Sequence, residues 1–328
     1  MSGILIYTSI IEGAVSTPTK EVSGMARAIA AKTGDSVAAA LVGSEVTDLA
    51  SELIASGVDQ VYICDDVKLG EFCANLYLQA LEVIVEKAAP RIVLIPGEAT
   101  GADLAPRLAQ RIKGGLVTDC IDYEISGDAV IYTKPVYGSK ALARIRITTP
   151  ISLVTVRPRT QEVYPPEADR SGETTRLEAA LDSMAPDTTI MERMEEEVLE
   201  CSLEEANVVV SGGRGLQNAE AFEQLRQLAG LLNGAVGATR VAVDQALVPP
   251  SCQIGLTGKI VAPDLYFAIG LSGASQHIAG MSGSKYIVAI NSDEEAPIFD
   301  ISNVGVVEDF RNVLPVLIAE LKKHLSKS

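Results

Sequence analysis

The feature that most constrains this chain is a regular alternation between short apolar runs and segments with helical spacing. GILIYTS (3–9), SVAAALVG (36–43), QVYICD (60–65) and RIVLIPG (91–97) are short and rich in Ile, Val and Ala. Between them, TKEVSGMARAIAAKTG (19–34), VTDLASELIASG (46–57) and the stretch from Phe72 to Lys87 repeat apolar residues three and four apart, the period of a helix with one buried face. Runs that are apolar throughout, each followed by a helix, belong to a parallel sheet covered on both sides. Composition agrees: 47% of residues are apolar but only 4% aromatic, with no Trp, so the core is built from Ala, Val, Ile and Leu.

The same logic extends along the chain. Segments 128–133 and 142–157 read as two more strands, ending the first part at TVRPR (155–159). Residues 160–204 are rich in Pro, Ser, Thr and acid, as in a solvated surface connection, with a strand or helix around Glu192 to Leu199. A second alternation begins at ANVVVSGGRG (206–215), with a helix capped by Asn218 and stopped at Gly234. Strands are expected at KIVAP (259–263), DLYFAIG (264–270) and KYIVAIN (285–291), and a last helix beginning near Pro315. The fold class is therefore α/β: two domains, each on a mainly parallel sheet, spanning 1–204 and 205–328, the second doubly wound. A chain of 328 residues exceeds the size at which single cores usually stop growing.

Several function classes fall away. Of the net charge of −16, −9 lies within residues 161–200, and no basic groove or set of stacking aromatics offers itself to nucleic acid. No apolar run is long enough to span a bilayer, and MSGILIYTS has no leader pattern, so a cytoplasmic protein is expected. The five cysteines (Cys64, Cys73, Cys120, Cys201, Cys252) lack zinc-like spacing and read as reduced core thiols. With only two histidines, no metal set is expected.

PGEATGADLAPRLAQRIKGGLVTDC (96–120) puts a glycine turn before a helix, an arrangement able to hold phosphate, but it lacks the Walker spacing and lysine, and reads as structural. Four polar turns in the second half carry more weight: SGGRG (211–215), GATRVAVD (237–244), QIGLTGK (253–259) and GLSGASQH (270–277). Each alone is a device for turning the backbone. In a parallel sheet, however, turns that follow strands gather at the carboxyl edge, where ligands bind. Together they offer backbone N–H groups, hydroxyls and two arginines, the equipment for a pyrophosphate, so an extended nucleotide cofactor is the leading reading. His277, inside the glycine-rich run, suits either a structural or a ligand-facing role. His324, in the basic tail, reads as solvated.

The motifs TVRP, GLVTDC and DLAPRLA, then VVSGGRGL, VGATRVAVD, TGKIVAP, GLSGASQHIAGMSGSKYIVAIN and EAPIFDISNVGVVEDF, in that order, resemble the alpha subunit of electron transfer flavoproteins over both domains. The resemblance implies one FAD held by residues 205–328 and a heterodimer with a beta subunit that packs on residues 1–204 and carries a second nucleotide, AMP or FAD. It further implies an electron carrier rather than an enzyme with its own substrate, taking electrons from flavin dehydrogenases such as the acyl-CoA dehydrogenases of fatty acid beta-oxidation, or splitting them by electron bifurcation. Residue by residue, Arg214, Ser272, Gly273, Ala274 and Gln276 match positions at the pyrophosphate and ribityl chain, and Asn291 and Asp309 those near the AMP half. Thr239, Arg240, Gln253, Thr257, Gly258 and His277 match positions around the isoalloxazine, with Arg240 on its face, Thr257 near N5 and His277 toward O2; these three are the candidates for tuning its redox chemistry.

The chemistry is consistent, because a flavin that gains one electron becomes anionic at N1 and O2 and is favoured by a nearby donor or cation. An arginine about 4 Å away, at an effective dielectric near 20, contributes roughly 4 kcal/mol before solvent screening. Leu256 stands where many relatives carry Gln, Thr239 where many carry Ser, and KPVYGSK replaces the more usual RPxYGG. Two alternatives remain: a flavin-free interaction subunit on the same fold, and an enzyme using a nicotinamide or CoA substrate, for which only His277 could serve as acid or base.

Overall fold

The computed structural model describes residues 3–127, 129–181, 186–192 and 203–325. The chain divides into two compact units, formed mainly by residues 1–193 and by residues 194–328.

In the first unit the strands are β1 (Ile4–Tyr7), β2 (Ile10–Ile11), β3 (Ala14–Val15), β4 (Val37–Gly43), β5 (Gln60–Asp65), β6 (Ile92–Pro96), β7 (Gly115–Cys120), β8 (Asp122–Ser126), β9 (Ala129–Val136), β10 (Ala141–Arg146), β11 (Ser152–Val156) and β12 (Glu173–Arg176). The helices are α1 (Thr17–Thr33), α2 (Ala50–Ala55), α3 (Ala74–Ala88) and α4 (Ala99–Arg111). Seven strands form one sheet in the order β12-β5-β4-β1-β6-β11-β7, every neighbouring pair parallel. All four residues of β1 are buried: Ile4 and Ile6 face one core with α1, while Leu5 and Tyr7 face another with α3 and α4. Helix α1 starts where Ser16 accepts the Thr19 N–H and ends at Gly34, whose φ of 76° returns an N–H to the Ala30 carbonyl, the left-handed stop that glycine adopts without a Cβ penalty.

The second unit contains β13 (Val208–Gly212), β14 (Ala235–Ala238), β15 (Leu265–Ile269), β16 (Tyr286–Asn291) and β17 (Val304–Val307), with α5 (Ala219–Leu231), α6 (Arg240–Asp244), α7 (Ser275–Met281) and α8 (Phe310–Leu325). The sheet order is β14-β13-β15-β16-β17, again parallel throughout. Val210, Phe267 and Ile269 pack with α5, α6 and α8 on one face; Val209, Tyr266 and Ala268 pack with Met281 of α7 on the other. Two α/β units on mainly parallel sheets is thus the observed class.

Five details differ from the sequence reading. The segment 142–157 is two strands, β10 and β11, interrupted around Thr149 and Pro150, and β8 and β9 pair antiparallel in a separate small sheet. The short runs β7, β8, β14 and β17 carry too few consecutive large apolar residues to stand out by pattern. KIVAP is not a strand: Val261 is buried with its N–H bonded to Gly280 of α7, so its apolar character comes from packing on a helix. Helix α8 begins five residues before Pro315 because the Asp309 carboxylate caps the Arg311 N–H. Part of the acidic connection is structural: β12 pairs with β5, and Arg170 bonds Asp59. The element anticipated around Glu192 to Leu199 lies, from residue 193 onward, outside the described residues.

Cys64, Cys73, Cys120 and Cys252 are buried, with Cys73 Sγ donating to Asn75 Oδ1 and Cys120 Sγ to the Asp122 carbonyl; Cys201 lies outside the described residues. No helix among the described residues is long and apolar enough to cross a membrane.

Candidate functional site

Because the five strands of the second sheet run parallel, their carboxyl ends share one edge. The order reverses direction between β13 and β15, creating the crevice where doubly wound sheets take ligands. Backbone hydrogen bonds tie the loops at this edge to one another. Gly215 N–H reaches the Gly270 carbonyl (3.0 Å), Thr239 N–H the Gly212 carbonyl (3.0 Å), Ile298 N–H the Ser272 carbonyl (3.1 Å) and Glu308 N–H the Asn291 carbonyl (3.1 Å). The loop after α6 joins through Ile254 N–H to Ala238 (2.9 Å) and Leu256 N–H to Gln276 (2.8 Å). Arg214, Thr239, Arg240, Gln253, Thr257, Gly258, Ser272, Gly273, Ala274, Gln276, Asn291 and Asp309 therefore all sit on strand ends, loops or first helical turns of this one edge.

Glycine makes the close approaches. Gly273 has φ +80°, and a Cβ there would lie 2.5 Å from the Ile298 nitrogen; one on Gly213 would lie 2.5 Å from the Gly270 carbonyl. Arg214, Ser272 and Gln276 are exposed on this framework. Gln253 donates from Nε2 to the Thr257 hydroxyl (3.1 Å). Arg240, at the start of α6, is 68% exposed and pairs with Asp244 one turn on, at 3.5 Å.

Three residues spend their polar side-chain atoms on bonds within the chain. Asn291 donates to the Leu271 carbonyl and accepts from Asp293 N–H, binding the end of β16 to the loop after β15. Asp309 takes both Arg311 Nε and the Arg311 backbone N–H, and Arg311 holds its pKa down to about 2. His277 is 5% exposed, with Nδ1 3.0 Å from the Ile254 carbonyl and Nε2 2.8 Å from the Tyr266 hydroxyl. Burial pushes its pKa down to about 4, opposed by the Ile254 carbonyl. A carbonyl only accepts, so Nδ1 carries the ring's hydrogen and Nε2 accepts from Tyr266.

Residues 4–182 match the family model described as the electron transfer flavoprotein domain, and residues 202–282 match the electron transfer flavoprotein FAD-binding domain. The electron transfer flavoprotein subunit alpha of Bacillus subtilis (strain 168) is 39% identical over 321 residues, covering 98% of this chain and 97% of that protein. The chain belongs to the electron transfer flavoprotein alpha subunit family. Its similarity extends to the corresponding subunit of Syntrophomonas wolfei, at 38% identity over 98% of this chain and all of that protein. It also extends to the LctC subunit of a lactate dehydrogenase (NAD(+),ferredoxin) from Acetobacterium woodii, at 33% identity over 98% of this chain and 77% of that protein.

The second unit is thus an FAD-binding domain by architecture, and its loop chemistry suits that cofactor: guanidinium, hydroxyl and amide donors stand on a backbone with almost no side-chain bulk at Gly213 and Gly273. Two neighbours of the site escape sequence reasoning. Tyr266 looks like any strand aromatic in DLYFAIG, and only the parity that turns it toward α7 could single it out. Asp244 is four residues after Arg240 on a helix, a spacing that does signal an ion pair. Leu256, 66% exposed, gives this edge an apolar side chain.

Proposed function

We propose that this chain is the FAD-holding subunit of a two-subunit electron carrier, partnered by an electron transfer flavoprotein beta subunit that carries AMP or a second FAD. The observation that supports it most is the gathering of the 212–216, 239–240, 253–258 and 270–277 loops at the switch-point edge of one parallel sheet. In this reading Arg214, Ser272, Gly273, Ala274 and Gln276 hold the pyrophosphate and ribityl chain, while Asn291 and Asp309 shape the loops at the adenosine end. Arg240 supplies positive charge to the ring system, and Gln253, Thr257 and Gly258 border its edge, with Thr239 setting the start of α6. His277 keeps the Gln253–Thr257 loop in place and brings no net charge. FAD, when bound, supplies the one-electron chemistry; the protein orients it, shields it and sets its potential. Donors are flavin dehydrogenases such as acyl-CoA dehydrogenases, and the acceptor is a further oxidoreductase. The relative named for both NAD(+) and ferredoxin supports a second reading, in which the electrons are split between two acceptors.

The test is the visible absorbance of the chain co-expressed with its beta subunit, with released nucleotides counted. A yellow complex releasing one FAD for this chain is expected. A complex that is colourless, and stays so after incubation with FAD, would leave the flavin-free interaction subunit as the account.

A further inference from the structure

Charge is unevenly spread along the carboxyl edge of the second sheet. In the order β14-β13-β15-β16-β17 the outermost strands stand about 19 Å apart, at roughly 4.8 Å per strand. Over β13 and β14, the charges in the turns 212–218 and 237–244 are Arg214, Arg240 and Asp244. The central loop, 270–277, holds no Asp, Glu, Lys or Arg. Over β16 and β17 the balance inverts: residues 291–309 carry six carboxylates and no Lys, Arg or His.

Backbone hydrogen bonds place these carboxylates around the end of β16. Asp293 N–H bonds Asn291 Oδ1 (3.0 Å), Glu308 N–H the Asn291 carbonyl (3.1 Å) and Glu295 N–H Asp293 Oδ1 (3.1 Å). Asp293, Glu294, Glu295, Asp300 and Glu308 are exposed. The Asp309 N–H and the Asn312 side chain hold the Glu308 carboxyl below its ordinary pKa, so it is ionised at neutral pH.

Two features could offset that charge, and both are taken. Helix α8 starts here, but the Arg311 N–H bonds Asp309 Oδ1 and the Asn312 N–H the Asp309 carbonyl, each at 2.9 Å. Arg311 is the first cation after the turn, and Asp309 binds it through Nε and Nη2. A phosphate at this end therefore meets like charge. A free ribose hydroxyl has the reverse preference, because it donates to a carboxylate; doubly wound sheets use an acid for an unphosphorylated adenosine ribose and an arginine for a phosphorylated one.

We propose that the acidic β16–β17 end makes this site selective for dinucleotides with an unphosphorylated adenosine ribose, Glu294, Glu295 and Glu308 rejecting a phosphate on its 2′ or 3′ hydroxyl. The inference rests on the FAD reading above, with the pyrophosphate toward Arg214 and the adenosine over β16 and β17. It disfavours NADP(H) and CoA, which carry such a phosphate, and sets no such penalty on NAD(H).

The experiment reloads the flavin-stripped complex with FAD against matched competitors, dephospho-CoA with CoA and NAD(+) with NADP(+), each pair differing only in the ribose phosphate. At low salt the phosphorylated member should compete about tenfold more weakly, and high salt should narrow the gap. Glu294→Gln, Glu295→Gln and Glu308→Gln combined keep the side-chain oxygens as acceptors and remove the charge. In that variant the members of each pair should compete equally, with FAD uptake changed less than about threefold. Equal competition in the wild type, discrimination that survives the triple variant, or no competition from any of the four while FAD reloads, overturns the proposal. A complex that takes up no FAD overturns it through the FAD reading instead.

Discussion

The two units carry parallel sheets of the same kind, yet their carboxyl edges are furnished with opposite chemistry. In the first unit the switch-point turn is Gly97–Thr100. Gly97 is bonded to the Val156 carbonyl at 2.7 Å, a Cβ on Gly101 would fall 2.0 Å from the Pro96 carbonyl, and the side chains that come forward are carboxylates. Glu98 precedes α4 and its carboxylate accepts from Ser16, Glu21 accepts the Arg159 backbone N–H at 2.6 Å, and Asp119 takes both arms of Arg157. A negative charge beside a helix N-terminus disfavours an anionic ligand there. In the second unit the corresponding turns bring forward Arg214, Arg240, Ser272 and Gln276. The difference teaches that a glycine turn after a strand says little until the charges around it are counted.

That contrast can be broken most severely at Gly273. Ala there would combine a left-handed backbone with a Cβ 2.5 Å from the Ile298 nitrogen, which should cost at least about 2 kcal/mol. Expected are a lower melting temperature and loss of bound FAD from the purified complex. Full flavin content with an unchanged melting curve would show that the turn has more room than described.

Glu21 sharpens the first-unit side of the comparison. Burial lifts its pKa from 4.5 to about 7, with Glu98 adding to the rise and Arg159 opposing it. The native state therefore binds this proton more tightly than the unfolded chain, and its contribution to stability is complete below about pH 4.5 and lost as pH climbs through about 7. Glu21→Gln keeps an acceptor for Arg159 without the charge. It should stabilise the protein by about 1 to 3 kcal/mol at pH 8 and change little at pH 4.5; equal gains at both pH values would remove the titration from the account.

Smallest is the effect at Arg240. Its guanidinium is largely exposed and shared with Asp244, so solvent and salt screen it. Arg240→Ala should lower the flavin midpoint potential by tens of millivolts and Asp244→Asn raise it by less, both shifts shrinking at high salt. Identical potentials in all three proteins would deny this residue any part in tuning.

Much of this was legible in the chain itself. The long apolar strands and the helices with clear caps, such as Ser16 to Gly34 and the one opened by Asn218, declare themselves because local propensity and tertiary packing agree. The strands AVGA and VGVV do not, since short runs of small residues are strand only by virtue of their neighbours in the sheet. KIVAP misleads for the converse reason, its apolar side chains being buried by a helix. At the candidate site, the gathering of polar turns follows from the parallel direction of the strands alone. The internal commitments of Asn291, Asp309 and above all His277 were not readable, because a hydrogen-bond partner such as Tyr266 or the Ile254 carbonyl is set by three-dimensional packing and leaves no spacing in the sequence.

Hydrogen exchange of the complex, stripped of flavin and then reloaded with FAD, tests the contrast between the two edges most directly. Slower exchange is predicted across 213–216, 239–240, 253–258 and 270–277, with the turn at 97–101 unaffected. Protection at 97–101, or none at the four second-unit loops, would contradict it.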